Sequence, residues 1–497
     1  MWSGFAVVFE PQNLLYCLLG VTLGMLVGVL PGLGPAATIA ILLPITYDLE
    51  PAPAIILLAG IFYGAQYGGT ITSVLLRLPG EASTVVTVLD GHELARQGRA
   101  GSALGIAAVG SFIGGTASIV VLSLVAPFVA DFALKFGPPE YAVLGVIGIF
   151  LVATLGNGSL VKGIAAAAAG LLLATVGSDP MVGAPRFVFG SDQLADGIDF
   201  VIVAMGVFGV GEILYNLEHR HRESARVPSF GRAWPTWVEW LQSKWAVLRG
   251  AVVGFLLGVL PGGGATMSSL VAYAVEKRSA ADPSRFGRGA IEGVAGPETA
   301  NNAAATSSFI PLLVLGLPAN ATMAVLFGAL TLQGVPPGPS LIDDHPDVFW
   351  GVIDSMYIGN VFLLLFSVPL IGIFVRLLRV RPGILAPLTM LVTMIGVYSI
   401  RNNVFDLFLV LGLGVIGYGM KKLGFEPGPF VLAFVLGDIL ESAFRRSMRM
   451  FGGDLTGFLH RPIAASLLVF LVGSVVVVSV FRRYRNGKHS RPLLSRR

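Results

Sequence analysis

The sequence predicts an all-α polytopic membrane protein with two inverted-topology repeats, broken or re-entrant helices, and one extra C-terminal span. Three observations carry this expectation: the composition, an internal duplication, and the opposite charge of corresponding loops. Of 497 residues, 54% are hydrophobic and 12% charged, with a mean hydropathy of +0.79. Soluble domains carry about a quarter charged residues, so a water-soluble enzyme is excluded. A disordered chain needs more charge, and the 64 glycines follow no three-residue or heptad period, which excludes collagen and coiled coil. At roughly 20 apolar residues per span, the chain has room for on the order of a dozen crossings. A lone cysteine, Cys17, leaves no intramolecular disulfide framework. The net charge of +4 needs only the positive-inside rule, so the expected surroundings are a lipid bilayer and not nucleic acid.

Taken in order, residues Met1 to Glu10 hold no Lys or Arg and lack the basic flank of a cleavable signal peptide. The first span, near 14–30, is therefore expected to be retained. It closes on Gly28-Val29-Leu30-Pro31-Gly32-Leu33-Gly34, which returns as Gly258-Val259-Leu260-Pro261-Gly262-Gly263-Gly264. Leu78-Pro79-Gly80-Glu81-Ala82-Ser83 is echoed by Leu317-Pro318-Ala319-Asn320-Ala321-Thr322, Phe112-Ile113-Gly114-Gly115 by Tyr357-Ile358-Gly359-Asn360, and Gly211-Glu212-Ile213-Leu214 by Gly437-Asp438-Ile439-Leu440. Four matches in one order describe a duplicated unit. The expected division is 1–217 for the first repeat, 218–249 for a cytoplasmic or interfacial connection, 250–444 for the second repeat, 445–481 for a loop and extra span, and 482–497 for a basic cytoplasmic tail.

Charge tests whether the copies are parallel or inverted. After the Leu-Pro motif the first copy carries Arg96 and Arg99, the second Asp343, Asp344 and Asp347. After the Pro-Gly motif the signs swap, with Asp48 and Glu50 against Lys277, Arg278, Arg285 and Arg288. Corresponding loops on opposite sides require an odd number of crossings per copy. A periplasmic N-terminus and cytoplasmic C-terminus place most Lys and Arg inside, with Arg445, Arg446, Arg449 and Arg461 as the exceptions.

Gly and Pro inside an apolar segment are tolerated only against protein or a water-filled cavity, and paired interruptions in two inverted halves point to a transporter's central site. A broken helix exposes N–H groups at one end, which suit a carboxylate, and carbonyls at the other, which suit a cation. The candidate substrate-binding residues are Gly32, Gly34, Thr70, Thr72, Ser73, Gly262, Gly264, Pro318 and Asn320. The candidate ion-binding residues are Gln66, Asn301, Asn302, Thr306 and Ser307, the coupling ion being sodium or a proton. These neutral groups serve equally as glue between membrane helices. A hand alignment sets Gln66 beside Asn302 and Thr70 beside Thr306. Pro297 and Glu298 read as the first turn of a helix, where a carboxylate is favoured by the dipole. Glu212 and Asp438 read as anchors near helix ends or as proton carriers, Lys162 and Arg401 as snorkelling residues. Trp234, Trp237, Trp240 and Trp245, with Arg232, Lys244 and Arg249, read as an interfacial helix.

Enzyme signatures are missing. There is no G-x-S-x-G elbow, no P-loop, no Cys pair, and His92-Glu93 lacks a second His at the metalloprotease spacing. No structural or catalytic transition-metal site is expected, nor a cofactor beyond the coupling ion, so an ion gradient is the expected energy source. A stand-alone secondary transporter and a passive anion channel remain the alternatives.

The segments Gly28–Pro35, Tyr67–Ser73, Leu78–Glu81, Gly296–Ala303 and Gly316–Pro318 together resemble the large permease subunit of bacterial tripartite tricarboxylate transporters, along nearly the whole chain. The resemblance implies an inner-membrane permease that works with a small membrane subunit and a periplasmic solute-binding protein. It also implies an organic acid substrate, such as citrate or a related carboxylate, driven by a sodium or proton gradient.

Overall fold

The computed structural model describes residues 2–30, 34–155, 159–179, 181–218, 234–367, 369–370 and 382–489, and these are overwhelmingly helical. Gly32, Arg232 and the tail from 490 onward lie outside the described residues. The helices are α1 (Trp2–Val8), α2 (Pro11–Val29), α3 (Pro35–Leu42), α4 (Pro51–Leu76), α5 (Thr87–Arg96), α6 (Ala100–Ala133), α7 (Pro138–Leu155), α8 (Leu160–Ala174) and α9 (Phe200–Glu218), the last with a π-helical stretch at Met205–Val210. After residue 233 come α10 (Trp237–Val259), α11 (Gly264–Ser279), α12 (Glu292–Ser307), α13 (Phe309–Leu315), α14 (Ala321–Leu332), α15 (Pro346–Ser367), α16 (Pro382–Arg401), α17 (Val404–Lys422), α18 (Pro427–Met450) and α19 (Pro462–His489). Seven of the described helices are long and apolar enough to cross a bilayer: α2, α4, α6, α9, α15, α17 and α18.

Helix α4 forms the centre, buried on every side from Ala52 to Leu75, as a helix apolar all round must be. Helix α12 is equally enclosed from Gly293 to Ser307 although its sequence is rich in Asn, Thr, Ser and Glu. Burial of so many polar groups is tolerated only where they bond to one another, and this helix carries the site.

Two glycine rows bring backbones together. A Cβ on Gly20, Gly24 or Gly28 of α2 would lie 2.4, 2.5 or 2.2 Å from the carbonyl oxygens of Leu57, Ile61 and Ala65 on α4. In α10, a Cβ on Gly250, Gly254 or Gly258 would lie within 2.4 Å of the carbonyl oxygens of Gly296, Ala300 and Ala304 on α12. Both pairs are parallel, so α3 and α11 must each return the chain after the break. The partners on α4 and α12 stand 239 residues apart, the same step that separates Leu78-Pro79 from Leu317-Pro318. This packing replaces the hand alignment of Gln66 with Asn302 by one shifted three residues. Arg77 (φ +60°) and Gly316 (φ +65°), also 239 apart, end α4 and α13 in the left-handed conformation.

Loops sort into two sets by contact. Arg99 bonds Glu239, Gln97 the Arg288 carbonyl, Lys162 the Leu423 carbonyl and Lys422 Glu218. At the other end Gln333 bonds the Thr46 carbonyl, Arg401 Asp199, Arg445 Asp179 and Arg461 Glu140.

Several local expectations are corrected. Pro297 lies inside α12, which begins at Glu292, so Glu298 is not in a first turn. The tryptophan segment is not a separate interfacial helix. Trp237, Trp240 and Trp245 are the opening turns of α10, started by a capping box of Thr236 and Glu239, which runs unbroken across the expected division at 249. Asp438 sits midway along α18, not at its end. Residues 482–489 continue α19 as helix.

Candidate functional site

Each chain break meets a Leu-Pro segment. On the first, α2 ends in extended backbone at Leu30, and Gly34 precedes α3 with Pro35 at its first position. A Cβ on Gly80 would strike the Gly28 carbonyl oxygen at 2.2 Å and Thr72 Oγ1 at 2.3 Å. On the second, Gly262 (φ +78°) and Gly264 (φ +52°) take left-handed backbone that favours glycine. Gly262 N donates to the Ala319 carbonyl at 2.7 Å, and a Cβ on Gly264 would stand 4.0 Å from Asn320 Cβ. The breaks then cross over: α11 packs on Ala82–Thr84, and α3 packs on α14. Pro318 is buried in the turn before α14, and Asn320 caps that helix by accepting from Met323 N at 3.0 Å.

Between these breaks lies Glu298, fully buried. Its carboxylate accepts from Thr70 Oγ1 of α4 at 2.6 Å, from Thr87 Oγ1 of α5, and from Asn301 Nδ2 at 3.2 Å. Its backbone carbonyl accepts from Ser111 Oγ of α6 and from Asn302 Nδ2, both at 3.1 Å. Asn302 Nδ2 also lies 2.8 Å from Ser111 Oγ and 2.6 Å from Asn301 Oδ1. A cavity of about 10 Å³ beside Thr70, Tyr67 and Ser111 has room for roughly one water. Tyr67 closes the next turn of α4 by donating to Asn360 Oδ1 at 2.8 Å, whose amide donates to Phe112 O and Thr116 Oγ1.

A second polar group flanks the first. Ser83 Oγ lies 2.6 Å from Gln66 Oε1 and also against the Glu81 carboxylate, so one hydroxyl proton faces two acceptors. Gln66 Nε2 is buried with no hydrogen-bond partner among the described residues. Ser73 Oγ lies 2.8 Å from Thr84 Oγ1, and Thr72 Oγ1 donates to the Gly69 carbonyl at 3.1 Å.

The site residues expected from sequence are thus brought together in part. Thr70, Asn301 and Asn302 share Glu298, while Gln66, Thr72 and Ser73 belong to the Leu-Pro flank. Gly34, Gly262, Gly264 and Asn320 lie at the breaks. Thr306 is buried further along α12, and Ser307 donates to the Ala304 carbonyl at 3.4 Å where α10 packs at Gly258. Sequence reasoning missed Thr87 and Ser111, which belong to no motif, and gave Glu298 a helix-dipole role. The available signal was Pro297 itself, since a Pro-Glu pair inside an otherwise small and polar helix costs too much to be filler.

A carboxylate enclosed by neutral donors, with no ion pair among the described residues, is expensive to keep ionised. Its oxygens and the hydroxyls of Thr70 and Thr87 are hard donors of the kind that suits an alkali cation or a proton.

The chain is similar to known proteins along most of its length. The family model described as "Tripartite tricarboxylate transporter TctA family" matches residues 14–432. An uncharacterized 52.8 kDa protein in the TAR-I ttuC' 3' region of Agrobacterium vitis is 47% identical over 474 residues, covering 95% of this chain and 94% of the relative. An uncharacterized protein in the TAR-II ttuC' 3' region of the same organism is 52% identical over 215 residues, covering 43% of this chain and 89% of that protein. No solved structure matches the chain. With its many apolar helices, the chain is a multi-pass membrane protein belonging to the tripartite tricarboxylate transporter TctA family, a family of large transporter subunits and not of enzymes.

Proposed function

We propose that this chain imports a tricarboxylate or related organic acid by symport with a cation, sodium in the first place, through alternating access of two inverted halves. It works in the bacterial inner membrane with the small membrane subunit and the periplasmic solute-binding protein of a tripartite system, its N-terminus periplasmic and its C-terminus cytoplasmic. The observation that carries this reading is Glu298, a wholly buried carboxylate set in neutral oxygen donors between two chain breaks. The cation completes Glu298 with Thr70, Thr87 and Asn301, while Asn302 fixes the backbone behind them. The substrate carboxylates are held at the broken ends near Gly34, Gly262 and Gly264, where helix N-termini face inward. Neutralising Glu298 permits an anion to settle nearby, which couples the two ligands electrostatically.

The test is uptake of labelled di- and tricarboxylates by proteoliposomes holding the tripartite complex under an imposed sodium gradient. Saturable, sodium-stimulated uptake in the wild type that loses its sodium dependence in Glu298→Gln is expected. Wild-type uptake indifferent to sodium removes the sodium reading, and non-saturating flux favours a channel.

A further inference from the structure

Asp90, on α5, is buried and makes four hydrogen bonds with residues from the other half of the chain. Its Oδ1 accepts from the backbone N–H groups of Gly287, Gly289 and Ala290 at 2.8, 2.9 and 2.8 Å, and its Oδ2 from Tyr273 OH at 2.9 Å. Gly287 (φ +84°) and Gly289 (φ +97°) adopt left-handed backbone, which lets three amides converge on one oxygen as an anion nest. Gln97 adds a bond to the Arg288 carbonyl at 3.0 Å. One turn before Asp90, Thr87 of the same helix donates to Glu298. Helix α5 therefore grips both the buried carboxylate and the connection that leads into its helix.

Among the described residues the corresponding helix of the other half is held by less: Gln333 at its end donates to the Thr46 carbonyl at 2.7 Å. The 239-residue step places Leu326 and Ala329 of α14 where α5 has Thr87 and Asp90, and neither can form these bonds. There the flank of α14 borders a cavity of about 480 Å³, lined by Phe327, Gly328 and Thr331 with Asp199, Phe434 and Asp438. Helix α5 is thus tied to the other half through a carboxylate, whereas α14 has, among the described residues, only the Gln333 bond at its end and borders a cavity.

We propose that Asp90 is the latch that closes the cytoplasmic end of the transporter, and that Thr87 links it to the occupancy of Glu298. Asp90 is a positioning residue. It touches no ligand, and it releases the 283–291 connection when α5 shifts. The proposal rests on the two-halves reading and orientation given above.

Val294 packs against Gly91 of α5 and is fully buried, so Val294→Cys reports the opening of this seam. The native Cys17 is buried and adds little background. In membrane vesicles carrying the complex, an impermeant maleimide applied from the cytoplasmic face should label Val294→Cys slowly. Adding Tyr273→Phe, which removes one charge-assisted bond, or Asp90→Asn, which removes the charge, should speed labelling about tenfold or more. The increase should appear from that face only, because a loosened fold would admit reagent from both. Unchanged rates in both variants, or equal acceleration from both faces, overturn the latch. Should Asp90→Asn fail to fold, Tyr273→Phe carries the test alone. Faster cytoplasmic labelling together with sodium-independent wild-type uptake supports the latch and rejects the sodium reading.

Discussion

Thr70 Oγ1 donates to Glu298 Oε2 at 2.6 Å although 228 residues separate them. The bond joins the central helix of one half to the polar buried helix of the other. Thr70→Val keeps the shape and removes the hydroxyl oxygen that completes the proposed cation site. Loss of one polar ligand to a charged group costs about 1.5–3 kcal/mol, so the apparent affinity for the coupling cation should fall roughly tenfold or more. Thr70→Ser should restore most of it. Sodium titration of uptake at fixed substrate checks both; equal sodium affinity in Thr70→Val and the wild type would remove Thr70 from the site.

The glycine rows predict a sharp difference between two substitutions of the same kind. A Cβ on Gly254 would stand 2.3 Å from the Ala300 carbonyl oxygen, whereas one on Gly34 would meet nothing within 4 Å among the described residues. Gly34 also has φ −76°, open to any residue. Gly254→Ala should therefore force α10 off α12 and destabilise the protein by about 1–3 kcal/mol, seen as a lower midpoint of thermal unfolding in detergent. Gly34→Ala should leave that midpoint in place, so any loss of uptake it causes reports on the break itself.

Much of this architecture was legible beforehand because it is written in residues that break helices. The Pro-Gly and Leu-Pro motifs marked where backbone would leave the helix, and the structure brings Gly28, just before the first break, and Gly262, in the second, against a Leu-Pro segment. Glu298 was less legible. Its meaning depends on Thr87 and Ser111, which come from separate helices and carry no local pattern, and on α12 being buried despite weak apolarity. The 239-residue step between the partners of the two glycine rows was hidden as well, since it depends on which carbonyls of α4 and α12 the glycines of α2 and α10 meet. The tryptophans misled for a related reason. A capping box set the start of α10 further back than the apolar stretch alone suggested.

The short hairpin after α8 is pinned to α18 by charge and should respond to acid. Hydrogen bonding to Arg445, then to Met181 N, holds the Asp179 carboxyl down to about 2, below an ordinary value of about 3.9. A carboxylate lowered on folding contributes stability that is complete above its unfolded value and is lost as pH falls through the folded one. The attachment should therefore hold at neutral pH and weaken between about pH 4 and pH 2. Protease cleavage of this hairpin, followed against pH from the side of the membrane it faces, should rise across that window in the wild type. Asp179→Asn should be cleaved readily at every pH.

Glu140 and Arg461 predict an asymmetry that follows from burial. Arg461 reaches from the start of α19 to both carboxylate oxygens of Glu140, Nε at 3.2 Å and a terminal nitrogen at 3.3 Å, and the Gly137 amide adds a bond at 2.8 Å. The Glu140 side chain is 1% exposed and the Arg461 side chain 41%. Removing the arginine strands a carboxylate that water cannot reach, a loss of about 3 kcal/mol or more. Removing the acid leaves a guanidinium that solvent still covers in part, a smaller loss nearer 1 kcal/mol. Arg461→Met should therefore lower the unfolding midpoint more than Glu140→Gln. The double variant, with neither charge left unpaired, should recover part of the loss. Equal effects of the two single variants would mean that the pair is held open to water, with α19 free of α7 in the membrane.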